Sequence, residues 1–270
     1  MPEGPEVRII TEQLAANLVG KQLKNIQLLG GRFRPPREDF DALIKALPLD
    51  ILKVNCRGKF IYFTLSQDWV WFNHLGMTGT WTWDRGKHAG LGLELFGGQV
   101  LYYEDQRRFG NIVAHKDPDN KLLKEKLLTL GNDLFQNPPS YDLFFRMLLT
   151  CRQRNKTLAE FLMSQEDICG VGNYIKAEAL YRAKLSPWRK PNSCTTVESM
   201  LLLDSLLAVM KESYQAQGAT FQTYRNLMGP GKFASFFRVY KQSQDPQGLE
   251  IISEETPDKR TTWWCPKWQT

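Results

Sequence analysis

The pattern of apolar residues changes type near residue 121, and this change limits the chain to a fold with a β part followed by a helical part. Between about 21 and 116, short aromatic and β-branched runs are separated by glycine-rich turns. Beyond about 121, apolar residues recur at helical spacing. The runs that predict strands are Phe60 to Leu65, Trp69 to Leu75, Leu91 to Phe96 and Val100 to Tyr103, and the segments that predict helices are 141 to 165, 172 to 184 and 195 to 216.

The two ends of the chain add a helix and a hairpin to this pattern. From Pro5 to Val19 the apolar spacing predicts an amphipathic helix, which leaves residues 2 and 3 at a free chain end. The segment from about 238 to 270 is polar and Trp-rich, and its turn signals predict a β-hairpin. We therefore predict an α+β multidomain fold: an N-terminal helix plus β-sandwich over 1–130, a helical domain over 131–237 and a terminal hairpin over 238–270.

Charge and cysteine usage narrow the class of protein. The net charge of +6 and the pI near 9.0 favour an anionic partner such as nucleic acid, although this signal alone is weak. No stretch approaches the roughly 20 apolar residues of a membrane span. The charged start does not resemble a signal peptide, so we expect an intracellular protein without a membrane anchor. The five scattered cysteines favour reduced thiols over a disulfide framework: Cys56, Cys151, Cys169, Cys194 and Cys265.

Pro2 is a candidate nucleophile because removal of Met1 would leave it as a free secondary amine. A terminal α-amine has a pKa of about 8, so on the order of a tenth of it is neutral at pH 7. Attack on an aldehyde-level carbon such as a sugar C1′ gives an iminium directly, and the neighbouring Glu3 could move protons. Taken alone, a Pro-Glu start more often marks a flexible terminus.

Six further motifs follow along the chain, and each has an ordinary structural explanation when considered alone. A lysine after a glycine turn is usually a solvated surface residue, and a methionine in an apolar run usually fills a core. A glycine-rich turn before a helix can bind a phosphate through backbone N–H groups. The motifs are RGKF at 57–60, NHLGMTG at 73–79, KH at 87–88, DQRRFG at 105–110, CGVGNYIKAE at 169–178 and RTTWWCPKW at 260–268.

Together with the start MPEGPEV, these motifs resemble the formamidopyrimidine-DNA glycosylase and endonuclease VIII family over residues 1 to about 268. The resemblance implies that the helical domain carries a helix-two-turn-helix motif and that no cofactor is needed. It also implies four catalytic residues: Pro2 as the nucleophile, Glu3 as a proton donor, Lys59 at a phosphate beside the lesion, and Arg260 at the flanking phosphates.

The resemblance further implies a set of DNA-binding residues. Met77 would enter the duplex where a nucleotide is extruded, because extrusion costs a few kcal/mol and leaves a gap for an apolar side chain. Arg107 would face the orphaned base, and Phe109 would stack beside it. The remaining candidates would contact DNA mainly at its phosphates: His74, His88, Arg154 and Asn173.

The tail departs from the family pattern at its zinc ligands. A structural zinc site of this type needs four thiolates. The first pair of positions corresponds to Asp245 and Gly248, while the second pair keeps Cys265 and has Trp268 instead of its mate. We therefore predict a zincless finger that binds no metal and is held by hairpin hydrogen bonds and by packing of Trp263 and Trp264.

The expected function is a bifunctional glycosylase and abasic-site lyase of base-excision DNA repair, acting through a Schiff base with Pro2 and cleaving by β,δ-elimination. Gly4 and the zincless tail favour an endonuclease VIII-like preference for oxidised pyrimidines. The trio of Met77, Arg107 and Phe109 points instead to a formamidopyrimidine-type preference for 8-oxoguanine. A more remote alternative is a non-catalytic binder of damaged DNA, which retention of Pro2, Glu3 and Lys59 disfavours.

The expected partner is double-stranded DNA that contains oxidised bases or abasic sites, bound by a monomer. The compartment would follow the organism, with the cytoplasm or nucleoid expected in a bacterium and the nucleus in a eukaryote.

Overall fold

The computed structural model describes residues 2–30, 37–151, 156–220 and 226–270, and these residues form two compact units. The first unit contains residues 1–129 and 216–232, and the second contains residues 130–215 and 233–270. The segment 216–232 belongs to the first unit although it follows the helices of the second in sequence. The division into three domains predicted from the sequence remains a proposal.

The first unit has three helices and eight strands among its described residues. The helices are α1 (Gly4–Leu18), α2 (Arg37–Ala46) and α3 (Lys121–Leu128). The strands are β1 (Gln22–Leu28), β2 (Leu49–Arg57), β3 (Phe60–Leu65), β4 (Trp69–His74), β5 (Gly79–Thr82), β6 (Ala89–Leu95), β7 (Val100–Asp105) and β8 (Asn111–Lys116).

The strands are hydrogen-bonded in the order β5-β7-β6-β1-β2-β3-β4-β8. The ladder is thinnest between β1 and β2, where two residue pairs connect its halves. The halves pack face to face, since the Trp81 ring on β5 lies 6.1 Å from that of Phe63 on β3 and 6.4 Å from that of Trp71 on β4. Buried leucines, isoleucines and aromatic residues fill the space between them, which confirms the predicted sandwich.

Helix α2 interrupts the half of the chain that was predicted to be entirely β. Its residues Phe40 and Leu43 are fully buried, and the Phe40 ring meets Trp71 edge-on at 5.8 Å. The apolar spacing of three between Phe40 and Leu43 is helical, but the segment is short and rich in charged residues. Packing against the sandwich, rather than the helix propensity of its own sequence, stabilises this helix.

The second unit is helical and ends in a hairpin. Its elements are β9 (Asn132–Asp133), α4 (Tyr141–Leu149), α5 (Leu158–Met163), β10 (Ile168–Cys169), α6 (Asn173–Arg182), α7 (Thr196–Gln215), β11 (Ile252–Thr256) and β12 (Arg260–Trp264). The predicted helical segment 141–165 therefore contains two helices, and the other two predicted helices correspond to α6 and α7. The hairpin packs on α6 through Tyr181, Val239 and Cys265. The predicted α+β class is confirmed.

None of the helices described is long and apolar enough to cross a lipid bilayer.

Candidate active site

The start of α1 is buried rather than free, which corrects the prediction of an exposed chain end. Pro2 is buried and Glu3 is 2% exposed. Glu3 is the N-cap of α1, and its backbone N–H donates to Glu6 Oε2 at 2.8 Å. A carboxylate three residues after the N-cap satisfies one of the unpaired N–H groups at a helix start. The candidate nucleophile and its neighbour are therefore held in one conformation.

Glu6 also fixes the segment that follows α7 in the chain. Its Oε1 accepts a hydrogen bond from the Ala219 N–H at 2.7 Å, and Glu6 itself is 1% exposed. Gln13, two turns further along α1, accepts a bond from the Leu227 N–H at 2.9 Å. These two contacts place Ala219 and Leu227 against α1 and explain why the described residues around them belong to the first unit.

Lys59 lies in the two-residue turn between β2 and β3. Arg57 pairs with Phe60, so Gly58 and Lys59 form the tip of the hairpin. Gly58 has a φ of 56°, as the first central residue of such a hairpin turn requires. Helix α1 packs against both of these strands. The lysine is therefore presented by a short, rigid turn.

His74 belongs to a cluster of basic side chains around the buried ring of Phe60. The His74 and Phe60 rings are 5.6 Å apart, and Lys126 Nζ lies 5.7 Å from the Phe60 ring centroid. Desolvation, followed by the positive charges of Lys126 and Lys59, lowers the pKa of His74 below its usual value. The cluster combines three basic groups, as an anion site would. Lys126 was not predicted, because its distance in sequence from the other two hides the relationship.

Met77 and the Arg107–Phe109 loop lie side by side in the first unit. Met77 is half-buried in the turn between β4 and β5, whereas Arg107 and Phe109 are exposed in the loop between β7 and β8. The Arg107 N–H donates to Thr78 Oγ1 at 2.9 Å, and the Arg107 guanidinium lies 4.7 Å from the Phe109 ring centroid. The three candidate wedge residues, predicted from two separate motifs, therefore share one site.

His88 occupies a different place, on the wall of a cavity of about 580 Å³. Thr80 and Thr82 of β5, Glu104 of β7 and the turn 226–229 also line this cavity. His88 is half-buried, and its backbone carbonyl accepts a bond from the Asp105 N–H at 3.4 Å. A role for His88 in contacting DNA stays a prediction.

Asn173 begins α6, directly after Gly170, Val171 and Gly172. Its side-chain Nδ2 donates to the Thr261 carbonyl oxygen of the hairpin at 2.8 Å. The amide predicted to bind a phosphate therefore also anchors the hairpin strand that carries Arg260. One of its two N–H donors is used in this contact.

Arg260 is exposed at the start of β12, next to the three-residue turn Pro257-Asp258-Lys259. The turn is fixed by a buried ion pair, in which Lys176 Nζ of α6 lies 2.5 Å from Asp258 Oδ2 and the two side chains are 0% and 3% exposed. Thr256 Oγ1 donates to the Arg260 carbonyl oxygen at 3.1 Å. The backbone of the arginine is therefore rigid while its guanidinium can reach outward.

A second buried carboxylate joins α6 to the chain that leads into the hairpin. Glu178 accepts hydrogen bonds from the backbone N–H groups of Arg238, Val239 and Tyr240 at 2.9 to 3.1 Å. Burial raises the pKa of Glu178, while these three N–H groups oppose the rise. Helix α6 is thus bound to the hairpin at its start and to the chain that precedes the hairpin near its middle.

The finger does not fit a zinc ion. Asp245, at one of the expected ligand positions, accepts bonds from the Gln247 and Leu249 N–H groups at 2.9 and 2.8 Å and from the Tyr181 hydroxyl at 2.9 Å. Burial, followed by these interactions with Asp245, raises the pKa of Tyr181 to about 12. Across the described parts of the chain, no three His, Cys, Asp or Glu side chains are grouped as metal ligands.

Hydrogen bonds and aromatic packing, rather than a metal ion, connect the end of the finger to α6 and to the chain that follows α6. The Cys265 N–H donates to Gln269 Oε1 at 2.8 Å, and Gln269 Nε2 donates to the Leu185 carbonyl at 2.8 Å. Trp268, which stands in place of a ligand, donates from Nε1 to the Tyr181 carbonyl at 3.2 Å.

The predicted residues divide between the two units. Pro2, Glu3, Lys59, His74 and the wedge trio belong to the first, and Asn173 and Arg260 belong to the second. Arg154 lies outside the described residues. Glu6, Thr78, Asp105 and Lys126 were given no role from sequence, because each acts through partners that are distant in the chain or in another motif.

Comparison with known families gives two matches that together cover most of the chain. The Formamidopyrimidine-DNA glycosylase N-terminal domain matches residues 1–112, and the Formamidopyrimidine-DNA glycosylase H2TH domain matches residues 130–225. Among curated proteins, a formamidopyrimidine-DNA glycosylase of Thermus thermophilus is 34% identical, covering 100% of this chain and 98% of its own length. One from Yersinia pestis is 30% identical and covers 98% of both chains.

Solved structures agree with the sequence matches. The crystal structure of a formamidopyrimidine-DNA glycosylase from Thermus thermophilus is 31% identical and superposes with a TM-score of 0.85, over 99% of this chain and 98% of that one. The Lactococcus lactis enzyme in complex with DNA containing an abasic site is 27% identical, with a TM-score of 0.86 over 99% of both chains.

Proposed function

The chain belongs to the formamidopyrimidine-DNA glycosylase family, and from this premise we propose that it excises oxidised bases, mainly pyrimidines, through a Schiff base with Pro2. At the level of the family, it is a DNA glycosylase of base excision repair with lyase activity at abasic sites. The observation that carries the proposal is the buried, capped start of α1, which presents Pro2 and Glu3 in a fixed conformation.

The proposed chemistry starts once Met1 is removed. The Pro2 nitrogen attacks C1′ of the extruded nucleotide as the bond from C1′ to the base breaks, and the base leaves with the bonding electrons and takes up the proton that the Pro2 nitrogen releases. The bond from C1′ to the ring oxygen then breaks to give an iminium. Glu3 donates the proton that the ring oxygen takes up as the sugar opens. The iminium acidifies the C2′ hydrogen. Removal of this proton expels the 3′ phosphate, and a second elimination expels the 5′ phosphate.

Lys59 and Arg260 have positioning and proton-transfer roles in this proposal. Lys59 would contact a phosphate beside the lesion from the β2–β3 turn and take part in elimination. Arg260 would hold the flanking phosphates from the hairpin and assist the second elimination. The short turn around Lys59 and the buried ion pair beneath Arg260 support these roles, because both fix the backbone that carries the charge.

Solved complexes of the Lactococcus lactis relative contain DNA with Fapy-dG, an abasic site or an oxidised pyrimidine, and double-stranded DNA with oxidised bases or abasic sites is the partner in the proposed reaction. The proposed phosphate contacts are made by His74, Asn173 and Arg154, with His88 as a further DNA contact. Met77, Arg107 and Phe109 would fill the space left by the extruded nucleotide.

The lesion preference has a second candidate. Gly4 and the tail, in which Asp245, Gly248 and Trp268 stand at the positions of zinc-binding cysteines, favour oxidised pyrimidines. The names of the relatives favour the alternative, a formamidopyrimidine-type preference for 8-oxoguanine. One complex of the Lactococcus lactis relative is described as containing oxidised-pyrimidine DNA, so this scaffold is compatible with either class.

Borohydride trapping tests the proposal. The purified protein, with Pro2 confirmed as its first residue by mass spectrometry, is incubated with duplexes that contain an abasic site, thymine glycol or 8-oxoguanine. A covalent complex that is absent in Pro2→Gly is the expected result, with thymine glycol trapped faster than 8-oxoguanine. The reverse ranking would support the alternative lesion preference, and no trapping on any duplex would support a non-catalytic binder of damaged DNA.

A further inference from the structure

Two turns of the first unit approach each other at backbone distance. One turn, residues 75–79, carries Met77, and the other, residues 106–110, carries Arg107 and Phe109. A Cβ on Gly76 would lie 2.5 Å from the Gly110 nitrogen and 2.5 Å from the Phe109 carbonyl carbon. Gly76 also has a φ of 60°. The contact therefore tolerates no side chain at this position.

The carboxylate of Asp105 lies between these turns and is 1% exposed. One oxygen, Oδ1, accepts a hydrogen bond from the Thr78 hydroxyl, which is next to Met77, and another from the Arg107 N–H at 3.2 Å. The other oxygen, Oδ2, accepts from the Gly110 N–H at 2.7 Å. A single buried carboxylate thus accepts hydrogen bonds from both ends of the turn 106–110 and from the Thr78 hydroxyl of the other turn.

Thr78 completes the connection, because its hydroxyl has two partners. It donates to Asp105 and accepts from the Arg107 N–H at 2.9 Å. A hydroxyl can fill both roles at once, whereas a methyl group can fill neither. Hydrogen bonds to a charged acceptor that is sheltered from water are stronger than neutral ones. The link between the turns therefore depends on one hydroxyl and one carboxylate.

We propose that Thr78 and Asp105 are positioning residues that hold Met77, Arg107 and Phe109 as one preformed wedge, so that the three side chains enter the duplex together. This inference rests on the proposed function. Preforming the wedge avoids the entropy loss of ordering two separate loops during extrusion of the nucleotide. Neither residue touches the reacting atoms, so their loss affects extrusion and leaves the chemistry at Pro2 intact.

The test compares two substrates of the full-length protein. In duplex DNA, extrusion of the damaged nucleotide leaves a gap that the wedge must fill. A single-stranded oligonucleotide with an abasic site has no paired, stacked bases to separate, so it needs no wedge. Thr78→Val removes the hydroxyl at nearly constant volume, and Thr78→Ser is the matched control that keeps it. Asp105→Asn is a second variant, in which an amide N–H₂ would face the Gly110 N–H.

Thr78→Val is expected to lower kcat/KM on the duplex lesion by about tenfold, the size of one hydrogen bond to a charged group. Thr78→Ser is expected to restore it, and borohydride trapping on the single strand is expected to match that of the unaltered protein. Combining Thr78→Val with Met77→Ala should cost less than the sum of the two single losses, because the hydrogen bonds of Thr78 act in part through Met77.

Three results would overturn the proposal: unchanged duplex activity in Thr78→Val, equal losses on both substrates, or additive losses in the double variant. Failure of the unaltered protein to trap an abasic site on either the duplex or the single strand would contradict the Pro2 chemistry instead. If Asp105→Asn fails to fold, the Thr78 pair still decides the question.

Discussion

The imidazole of His74 is influenced by positive charge from two elements, the β2–β3 turn through Lys59 and α3 through Lys126. Its lowered pKa keeps the ring mostly neutral at pH 7 in the free protein. The folded state binds the proton of His74 less readily than the unfolded state does. The stability that His74 contributes is therefore fully present above about pH 6.5, the pKa of the unfolded state, and is lost as the pH falls through the lower pKa of the folded state.

DNA binding is expected to reverse this shift, because a phosphate stabilises the imidazolium. A proton is then taken up on binding, so the affinity for DNA rises as the pH falls from about 8 to about 6, by at most about tenfold per pH unit. Fluorescence anisotropy across this range gives the dissociation constants. His74→Gln should flatten the extra pH dependence, and His115→Gln, on β8 of the same sheet, is the matched control.

Lys126 gives this prediction a second test. Lys126→Met should raise the pKa of His74 in an NMR titration of the free protein, and Lys126→Arg should leave it lowered. An unchanged pKa in Lys126→Met would show that desolvation and Lys59, and not Lys126, lower the pKa of His74.

At the scale of elements, α6 organises the second unit. Asn173 at its start binds Thr261, Lys176 one turn later binds Asp258, and Glu178 binds the chain at 238–240. A buried ion pair is costly to form but more costly to break, because removing one partner leaves the other charge unpaired away from water. The helix therefore determines where the hairpin turn with Arg260 lies within its unit.

Lys176→Met is expected to lower the free energy of unfolding by about 3–5 kcal/mol, because Asp258 loses its partner. Adding Asp258→Asn should recover much of that loss by removing the unpaired charge. Urea denaturation followed by circular dichroism measures both. The matched control is Arg146→Met, whose ion pair with Asp142 is 70% and 71% exposed and should contribute less than about 1 kcal/mol. Equal losses in Lys176→Met and Arg146→Met would contradict this account of the hairpin.

The finger should keep its structure without metal. Asp245 and Gln269 connect its two ends to α6 and the chain after it, so exhaustive dialysis against EDTA should leave the melting temperature and strand cleavage unchanged. Asp245→Ala should lower the melting temperature more than Tyr181→Phe, which removes one of the same hydrogen bonds. Elemental analysis that found one zinc per chain would contradict the zincless finger.

For the whole molecule, the net charge of +6 favours binding to DNA, and the number of phosphates that its cations contact should determine how binding responds to salt. Candidate phosphate ligands occur in both units, with Lys59 in the first and Arg260 in the second. Each phosphate that a cation neutralises releases condensed counterions, so affinity falls as salt rises.

The slope of log K against log salt should lose about 0.9 for each cation removed from the DNA contact. Lys59→Ala, Arg154→Ala and Arg260→Ala are therefore each expected to flatten the slope by about one. Lys24→Gln is the control, since Lys24 is paired with Glu94 at 2.9 Å on the first sheet. A slope that changes as much in Lys24→Gln would show that net charge, and not specific contact, controls binding.

Local patterns determined much of the fold of this protein. Runs of aromatic and β-branched residues predicted the strands around Phe60 and Trp71. Helical spacing predicted α1, α6 and α7, because this periodicity reports directly which face of a helix is buried. Short motifs also identified the candidate residues Pro2, Lys59 and Arg260, since a turn or a helix start is encoded by neighbouring residues. Helix α2 was missed because its short, charged sequence gains its stability from the sandwich.

The sequence by itself determined most of the element types, the family and the catalytic candidates. Only the tertiary structure decided which buried residues hold the backbone around those candidates. Glu6 contacts Ala219 across 213 positions, and Lys176 contacts Asp258 across 82. Asp105 binds the turn beside Met77. No periodicity encodes such pairs, because each buried charge is stable only beside partners that the completed fold brings to it.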